Sequence, residues 1–475
     1  MTTTHDIVQK LWKLCKILWG DGVSYHQYVN ELTYLLFLKM AEETGKESQL
    51  PEEYRWNKLV ALDGTEQLTF YKKMLIDLGA SGSKLVQDIF ANASSFIKEP
   101  RNLQKLVSDI DDLDWYSARE EGLGDLYEGL LEKNATESKK GAGQYFTPRR
   151  LIECMVDLIQ PQAGEIIQDP ATGTGGFLIR ADAYIKERTD ELFSLSTREQ
   201  EFQRRTAFQG LELVQDVHRL CLMNMMLHGI EGPVETNDTL GPAGASLAKA
   251  DVIITNPPFG SSAGSGASRR DDFTYPTNNK QFGFLQHIYR GLKPGGRAAV
   301  VVPDDILFAD NTGRKIRVDL MNKCNLHTVL RLPTGIFYAQ GVKTNVLFFQ
   351  RGETDKGNTK EVWFYDLRTN MPSFGKRTPL TRAHFAEFEK CFGDDPNGGS
   401  KRKDQGEEGR FRCFSHKEII KREDNLNITW LRAEDADHAE DLPEPDVLSA
   451  QIIENLGIAM QEMEELSILL DMEQK

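Results

Sequence analysis

The six cysteines, at 15, 154, 221, 324, 391 and 413, form no CxxC pair. Several lie in apolar surroundings, as in LCK and ECM, and read as reduced packing residues, which excludes a disulfide framework or a structural zinc site. No proline precedes any of them. The covalent route in which a Pro-Cys thiolate attacks carbon-5 of cytosine therefore has no nucleophile. Nor is there an HxE with PCxxC, the zinc-deaminase signature. The nine histidines are isolated, no His/Cys/Asp/Glu cluster has metal-ligand spacing, and no metal is expected. Long apolar runs are missing as well: none approaches the roughly 18–20 residues of a membrane span. The start, MTTTHDIVQK, does not resemble a signal peptide, and a cytoplasmic protein without a membrane partner is expected.

What is present is an ordinary composition of 475 residues, 40% hydrophobic and 27% charged, enough for two or three domains. The net charge of −15 is unevenly spread. Residues 433–475 hold 13 acidic side chains and one basic one, so the rest of the chain is close to neutral. Local basic stretches can then still meet phosphates, although a protein gripping long DNA unaided is usually more basic.

Residues 1–135 read as helical, with Ile7, Leu11, Leu14, Leu18 and then Tyr28, Leu32, Leu35, Leu36, Met40 at helical spacing. From about 141 the pattern alternates. EIIQD (165–169), AFQGLE (207–212), DVIITN (251–256), RAAVVV (297–302) and NVLFFQ (345–350) are short buried-strand runs. Helical patterns lie between them, such as 214–228 and 282–292, and this alternation predicts a mostly parallel sheet covered on both faces. Two stretches, 260–281 and 393–409, are rich in Gly, Ser and charge and read as mobile loops. From about 446 helical spacing resumes through Val447, Ile452, Leu456, Met460, Met463, Leu466 and Leu470, an acidic amphipathic helix that is either a strut or a docking element.

DPATGTGGFL (169–178) follows a strand and opens a helix. Its glycines at 173, 175 and 176 let backbone approach a ligand at a carboxyl strand end. The spacing is neither GxGxxG nor GxxxxGK[ST], so a dinucleotide or phosphate cradle is disfavoured. Glu212 ends the next strand, where a carboxylate suits the two hydroxyls of a ribose; the competing reading is a solvated strand-end acid. With nothing basic placed for a pyrophosphate, a nucleoside without phosphates, such as S-adenosylmethionine, fits better.

NPPF (256–259) ends the strand DVIIT. An exocyclic amine conjugated to a purine is a poor nucleophile because its lone pair is delocalised. The Asn256 side-chain carbonyl and the Pro257 backbone carbonyl can each accept one N–H bond, drawing that nitrogen towards tetrahedral geometry. Pro257 and Pro258 stiffen the loop, and Phe259 offers a face on which a planar ring can stack. In GAGQYFTPRRLIECMVDLI, from Gly141, Thr147 is expected to cap a helix with Pro148 in its first turn. Gln144, Tyr145 and Phe146 then sit on the lead-in loop.

In this order GQYFTP, DPATGTGGF, GLE, NPPF, LKPGGRAAVVVPD (292–304) and LPTGIFYAQGVKTNVLFF (332–349) closely resemble the modification subunit of type I restriction–modification systems, an N(6)-adenine DNA methyltransferase family. The resemblance implies a class I S-adenosylmethionine-dependent methyltransferase fold, a seven-stranded, mostly parallel sheet with helices on both faces, preceded by a helical domain. It implies that Gln144, Tyr145, Phe146, Thr147, Pro148 and Arg149 line the cofactor site together with Asp169, Thr172, Gly173, Thr174, Gly175 and Glu212, with Asp238 near the cofactor adenine. Asn256, Pro257, Pro258 and Phe259 then hold a flipped-out adenine, with Phe337 or Tyr338 on its other face.

The implied division is an N-terminal helical domain (1–135), a catalytic domain (136–375), a C-terminal extension with a flexible loop (376–445) and a docking helix (446–475). The implied partners are double-stranded DNA, a specificity subunit, a second copy of this chain and a restriction subunit. Arg269, Arg270 and Lys280, in the loop beside NPPF, are expected to face DNA. Two alternatives stay open: a methyltransferase acting on protein glutamine or ribosomal RNA guanine, and a catalytically idle scaffold.

Overall fold

The computed structural model describes residues 4–18, 22, 25–115, 123–137, 147–260, 270–337, 342–372, 374, 378–432 and 456. Nine strands occur among them: β1 (Ile167–Asp169), β2 (Phe208–Glu212), β3 (Val234–Thr236), β4 (Ala250–Thr255), β5 (Leu292–Pro303), β6 (Cys324–Arg331), β7 (Thr344–Arg351), β8 (Glu361–Asp366) and β9 (Phe411–Ser415). The chain divides into two compact units, residues 1–146 with 171–238, and 147–170 with 239–475.

The first unit begins with the helices Thr4–Leu18, Tyr25–Glu43, Gly64–Leu78, Pro100–Asp111 and Leu123–Glu137. Their recurring apolar residues converge, and Leu11, Leu35, Tyr71, Leu75 and Leu106 are wholly buried. One carboxylate is enclosed with them. Glu31 accepts hydrogen bonds from the Tyr71 hydroxyl at 2.8 Å and from the Phe96 N–H, while burial raises its pKa above the ordinary glutamate value. The same unit holds the parallel pair β2–β3 and the helices Gly176–Arg188, Thr197–Arg205 and Gln215–Leu227. Arg219, on the last of these, is buried and donates to the carbonyls of Ile89 and Ala91 at 2.6 and 2.9 Å, fastening that helix to the N-terminal helices.

In the second unit the strands lie in the order β1-β4-β5-β7-β6-β8-β9. β1, β4 and β5 pair in parallel, as do β6 and β8, and β7 is slotted antiparallel between β5 and β6. β4 and β5 carry continuous apolar runs, Val252–Ile254 and Ala298–Val302, as suits strands covered on both faces. Ile253, Leu285, Ile288, Val300, Leu320, Val329, Leu347, Phe349 and Phe364 form the core between sheet and helices. The expected α/β class is present, and β8 and β9 continue this sheet beyond the strands read from the sequence. Arg297 on β5 locks the helix Arg149–Ile159 in place, donating to the carbonyls of Ile159 and Gln160 at 2.6 and 2.7 Å and to Glu165 at 2.7 Å.

Two expectations need correcting. The stretch 393–409 is irregular, yet it is tied down along its length. Asp395 accepts from the N–H groups of Asn397 and Gly399, while Arg402 donates to the Phe392 carbonyl and the Thr328 hydroxyl. Arg270 does not face solvent: its guanidinium is buried, fork-bonded to Asp272 at 2.6 and 2.8 Å, and donates to the Thr239 carbonyl at 2.8 Å. Buried and bonded in this way, it anchors the end of its loop rather than presenting its charge to solvent. The residues around Arg269, and 433–475 apart from Leu456, lie outside the described residues.

Candidate active site

The first unit carries the glycine-rich turn. Asp169 ends β1 in the second unit, and the chain crosses into the first at Ala171. Thr172 is buried, and both its N–H and its hydroxyl donate to the Leu211 carbonyl at 3.0 Å, so it pins the turn to β2. Gly173 and Gly175 have φ of +56° and +86°, which side chains avoid. A Cβ on Gly175 would also meet Cys221 Sγ at 3.0 Å. Asn224 Nδ2 donates to the Thr174 carbonyl at 3.0 Å, a brace that sequence reasoning missed. Its only signal was an amide within the apolar run CLMNMML.

Glu212, at the end of β2, is held by two backbone donors. Gly173 N–H reaches Oε2 at 2.9 Å and Val214 N–H reaches Oε1 at 2.8 Å. Burial is the largest influence on this carboxyl and raises its pKa, against the lowering effect of those bonds. The orientation is therefore fixed while further lone pairs remain on both oxygens. The next residue, Leu213, is 63% exposed, an apolar surface beside a fixed acid that sequence reading passed over. Asn237 N–H donates to the Glu212 carbonyl at 2.9 Å, which brings the end of β3, and the exposed Asp238 after it, to the same edge as Glu212.

The second unit carries NPPF at the carboxyl end of β4, the neighbour of β1. Asn256 is half-buried, Pro257 buried, Pro258 exposed and Phe259 half-buried. Asn256 Nδ2 donates to the Thr147 hydroxyl at 3.1 Å, whereas the buried Oδ1 has no hydrogen-bond partner. Thr147 thus differs from its expected role. Pro148 occupies the cap position of the helix Arg149–Ile159 without a side-chain cap bond, and the threonine hydroxyl is turned to Asn256. The side chain of Arg149 lies over Glu153 on its own helix. Gln144, Tyr145, Phe146 and Tyr338 lie outside the described residues; Phe337 is half-buried in the turn after β6.

Beyond Phe259 the chain is gripped by the helix Lys280–Gly291. Gly260, at φ +99°, donates its N–H to Gln281 Oε1 at 2.8 Å and accepts the Lys280 N–H at 3.0 Å. Gln281 in turn donates to Asp305 at 2.5 Å. NPPF is therefore held by β4 on one side and by this helix on the other. Among the described residues no His/Cys/Asp/Glu group could hold a metal ion, and no helix is long and apolar enough to cross a membrane.

The donor set suits a nucleoside that carries no phosphate. It offers a fixed carboxylate for hydroxyls, an apolar face, and a glycine turn with no basic residue between Asp169 and Leu178. The N-6 DNA methylase family matches residues 118–439, and the HsdM N-terminal domain family matches 7–110. The type I restriction enzyme EcoKI methylase subunit of Escherichia coli (strain K12) is 51% identical over 502 residues, covering 97% of this chain and 94% of that protein. The StySPI methylase subunit of Salmonella potsdam is similar to the same degree and extent. The crystal structure of the EcoKI M protein aligns over 98% of this chain and 96% of its own, with 48% identity and a TM-score of 0.59. A chain from work on complex assembly and conformational transition of the type I R-M system covers 99% of each chain, with 28% identity and a TM-score of 0.74. With two family matches in register and relatives aligned almost end to end, the chain belongs to the N-6 DNA methylase family, among the methylase subunits of type I restriction enzymes.

Proposed function

We propose that the chain transfers a methyl group from S-adenosylmethionine to the 6-amino group of an adenine extruded from duplex DNA. It does so as the cytoplasmic modification subunit of a type I assembly, with two copies beside one specificity subunit and a restriction subunit joining for cleavage. The observation that carries the reading is the buried, partnerless Asn256 Oδ1 at a carboxyl strand end, its amide nitrogen already engaged. An unpaired buried carbonyl costs about 1–3 kcal/mol, and an arriving N–H donor relieves that cost.

Asn256 Oδ1 and the Pro257 carbonyl each accept one hydrogen of the target amine, which localises its lone pair on nitrogen. Stacking on Phe259, with Phe337 or Tyr338 opposite, holds the ring outside the duplex, since a stacked base cannot reach the site. Glu212 accepts the ribose hydroxyls, Leu213 lies against the cofactor adenine near Asp238, and Gly173 and Gly175 let backbone pass close to the cofactor. Asp169, Thr172, Thr174, the lead-in residues 144–146, Pro148 and Arg149 complete that surround. When bound, S-adenosylmethionine supplies an electrophilic methyl whose bond to sulfur breaks with the electron pair kept by sulfur. The amine gains the carbon and loses one proton to solvent, so no side-chain base is required.

The near full-length relatives are restriction enzyme methylase subunits, which supports DNA over protein glutamine or ribosomal RNA guanine as substrate. Nucleoside mass spectrometry of DNA incubated with the chain, a specificity subunit and S-adenosylmethionine tests the proposal. N6-methyladenine at a defined site is expected. Methylated protein or RNA with unmodified DNA would refute it.

A further inference from the structure

We propose that Thr147 is a positioning residue that fixes which way round the Asn256 amide sits. The inference rests on the reading of NPPF given above. The oxygen and nitrogen ends of an asparagine amide are nearly equal in size, so packing distinguishes them weakly and hydrogen bonding decides. Here Nδ2 donates to the Thr147 hydroxyl at 3.1 Å and Oδ1 is left without a partner. The reversed amide would receive the threonine hydrogen on Oδ1 and leave both hydrogens of Nδ2 unpaired. Unpaired buried N–H groups are rarer than under-satisfied carbonyls, so the observed orientation is the better tolerated of the two. It is also the only one that can work. An amide nitrogen pointing at the target amine would set donor against donor.

Thr147 is well placed for this task. It directly precedes Pro148, whose carbonyl accepts from Leu151 and Ile152 at 2.9 and 3.1 Å in the first turn of the helix Arg149–Ile159. Arg297 ties the other end of that helix to β5. The hydroxyl that orients the asparagine is thus mounted on a rigid helix rather than on a free loop, and within the same unit as β4.

The test compares wild type, Thr147→Val, Thr147→Ala and Thr147→Ser in complex with the specificity subunit. Single-turnover methyl transfer is followed at saturating and at limiting S-adenosylmethionine, with thermal melting as a control for folding. Valine and alanine are expected to lower the saturated rate about 10- to 100-fold with little change in the half-saturating cofactor concentration. Serine, which keeps the hydroxyl, is expected to recover the rate to within a few-fold of wild type. An unchanged rate in the valine variant, or a loss abolished by excess cofactor, would overturn the proposal; the second result would return Thr147 to cofactor binding. Absence of adenine methylation by the wild-type complex would overturn the functional reading and this inference together.

Discussion

Glu212 joins a structural role to the cofactor-binding role proposed for it. Its two oxygens accept from Gly173 and Val214, so it fixes the glycine turn before any ligand arrives. Glu212→Gln must set an amide NH2 against one of those N–H groups and removes the charge that attracts two hydroxyls. The dissociation constant for S-adenosylmethionine is expected to rise at least about tenfold, roughly 1.4 kcal/mol, by calorimetry. In wild type, burial raises the carboxyl's pKa, so protonation begins at a higher pH than for an exposed glutamate. Cofactor affinity should therefore fall as pH is lowered through that raised value, and the glutamine variant should lack the dependence. The sign for folding is opposite. A raised folded pKa makes this group's contribution to stability greatest at acid pH, and it is lost as pH rises through the folded value. Equal affinity in the two proteins across the range would remove Glu212 from the cofactor site.

At the scale of elements, the loop after NPPF is defined by its anchors. Gly260 is held by Lys280 and Gln281 at one end, and Arg270 is buried at the other. Arg270→Ala leaves the Thr239 carbonyl without its donor, leaves Asp272 with only Arg290 at 3.8 Å as a cation among the described residues, and empties a space lined by Phe273. A loss of about 3 kcal/mol is expected in denaturant unfolding, with the salt dependence of DNA binding unchanged. A flattened salt slope without loss of stability would restore Arg270 as a phosphate contact. Its hydrogen bonds also depress the pKa of Asp272, so the pair stabilises above the ordinary aspartate range and fades as pH falls through the lowered value.

The elements also show what the residues disclose beforehand. β4, β5 and β7 were legible because a strand covered on both faces is written as an unbroken apolar run. β6, CNLHTVLR, was missed because His327, Thr328 and Arg331 are buried in it with partners such as the Ile428 carbonyl, which composition does not reveal. β9 is a short edge strand, mostly half-buried and without an apolar run, and β3 is only three residues long. In the site, the residue types of NPPF and the glycine turn were plain. The use of Thr147 was not, since a threonine before Pro148 signals a helix cap and only the fold shows its hydroxyl turned to Asn256.

At the scale of the molecule, the charge is the feature that calls for partners. Most of the −15 lies in 433–475, and the remainder is close to neutral, too little to hold DNA firmly unaided. We propose that 446–475 docks the specificity subunit. Truncation at residue 445 should abolish co-purification with that subunit while leaving thermal melting of the rest unchanged. Undiminished co-purification would refute the assignment.

The most direct test of the central claim is transfer of labelled methyl from S-adenosylmethionine to DNA by wild type and Asn256→Ala, each with and without the specificity subunit. The account predicts adenine labelling that requires the partner and falls by at least about 100-fold in the variant. Labelling that survives in Asn256→Ala, or that proceeds at a defined site without the partner, would contradict it.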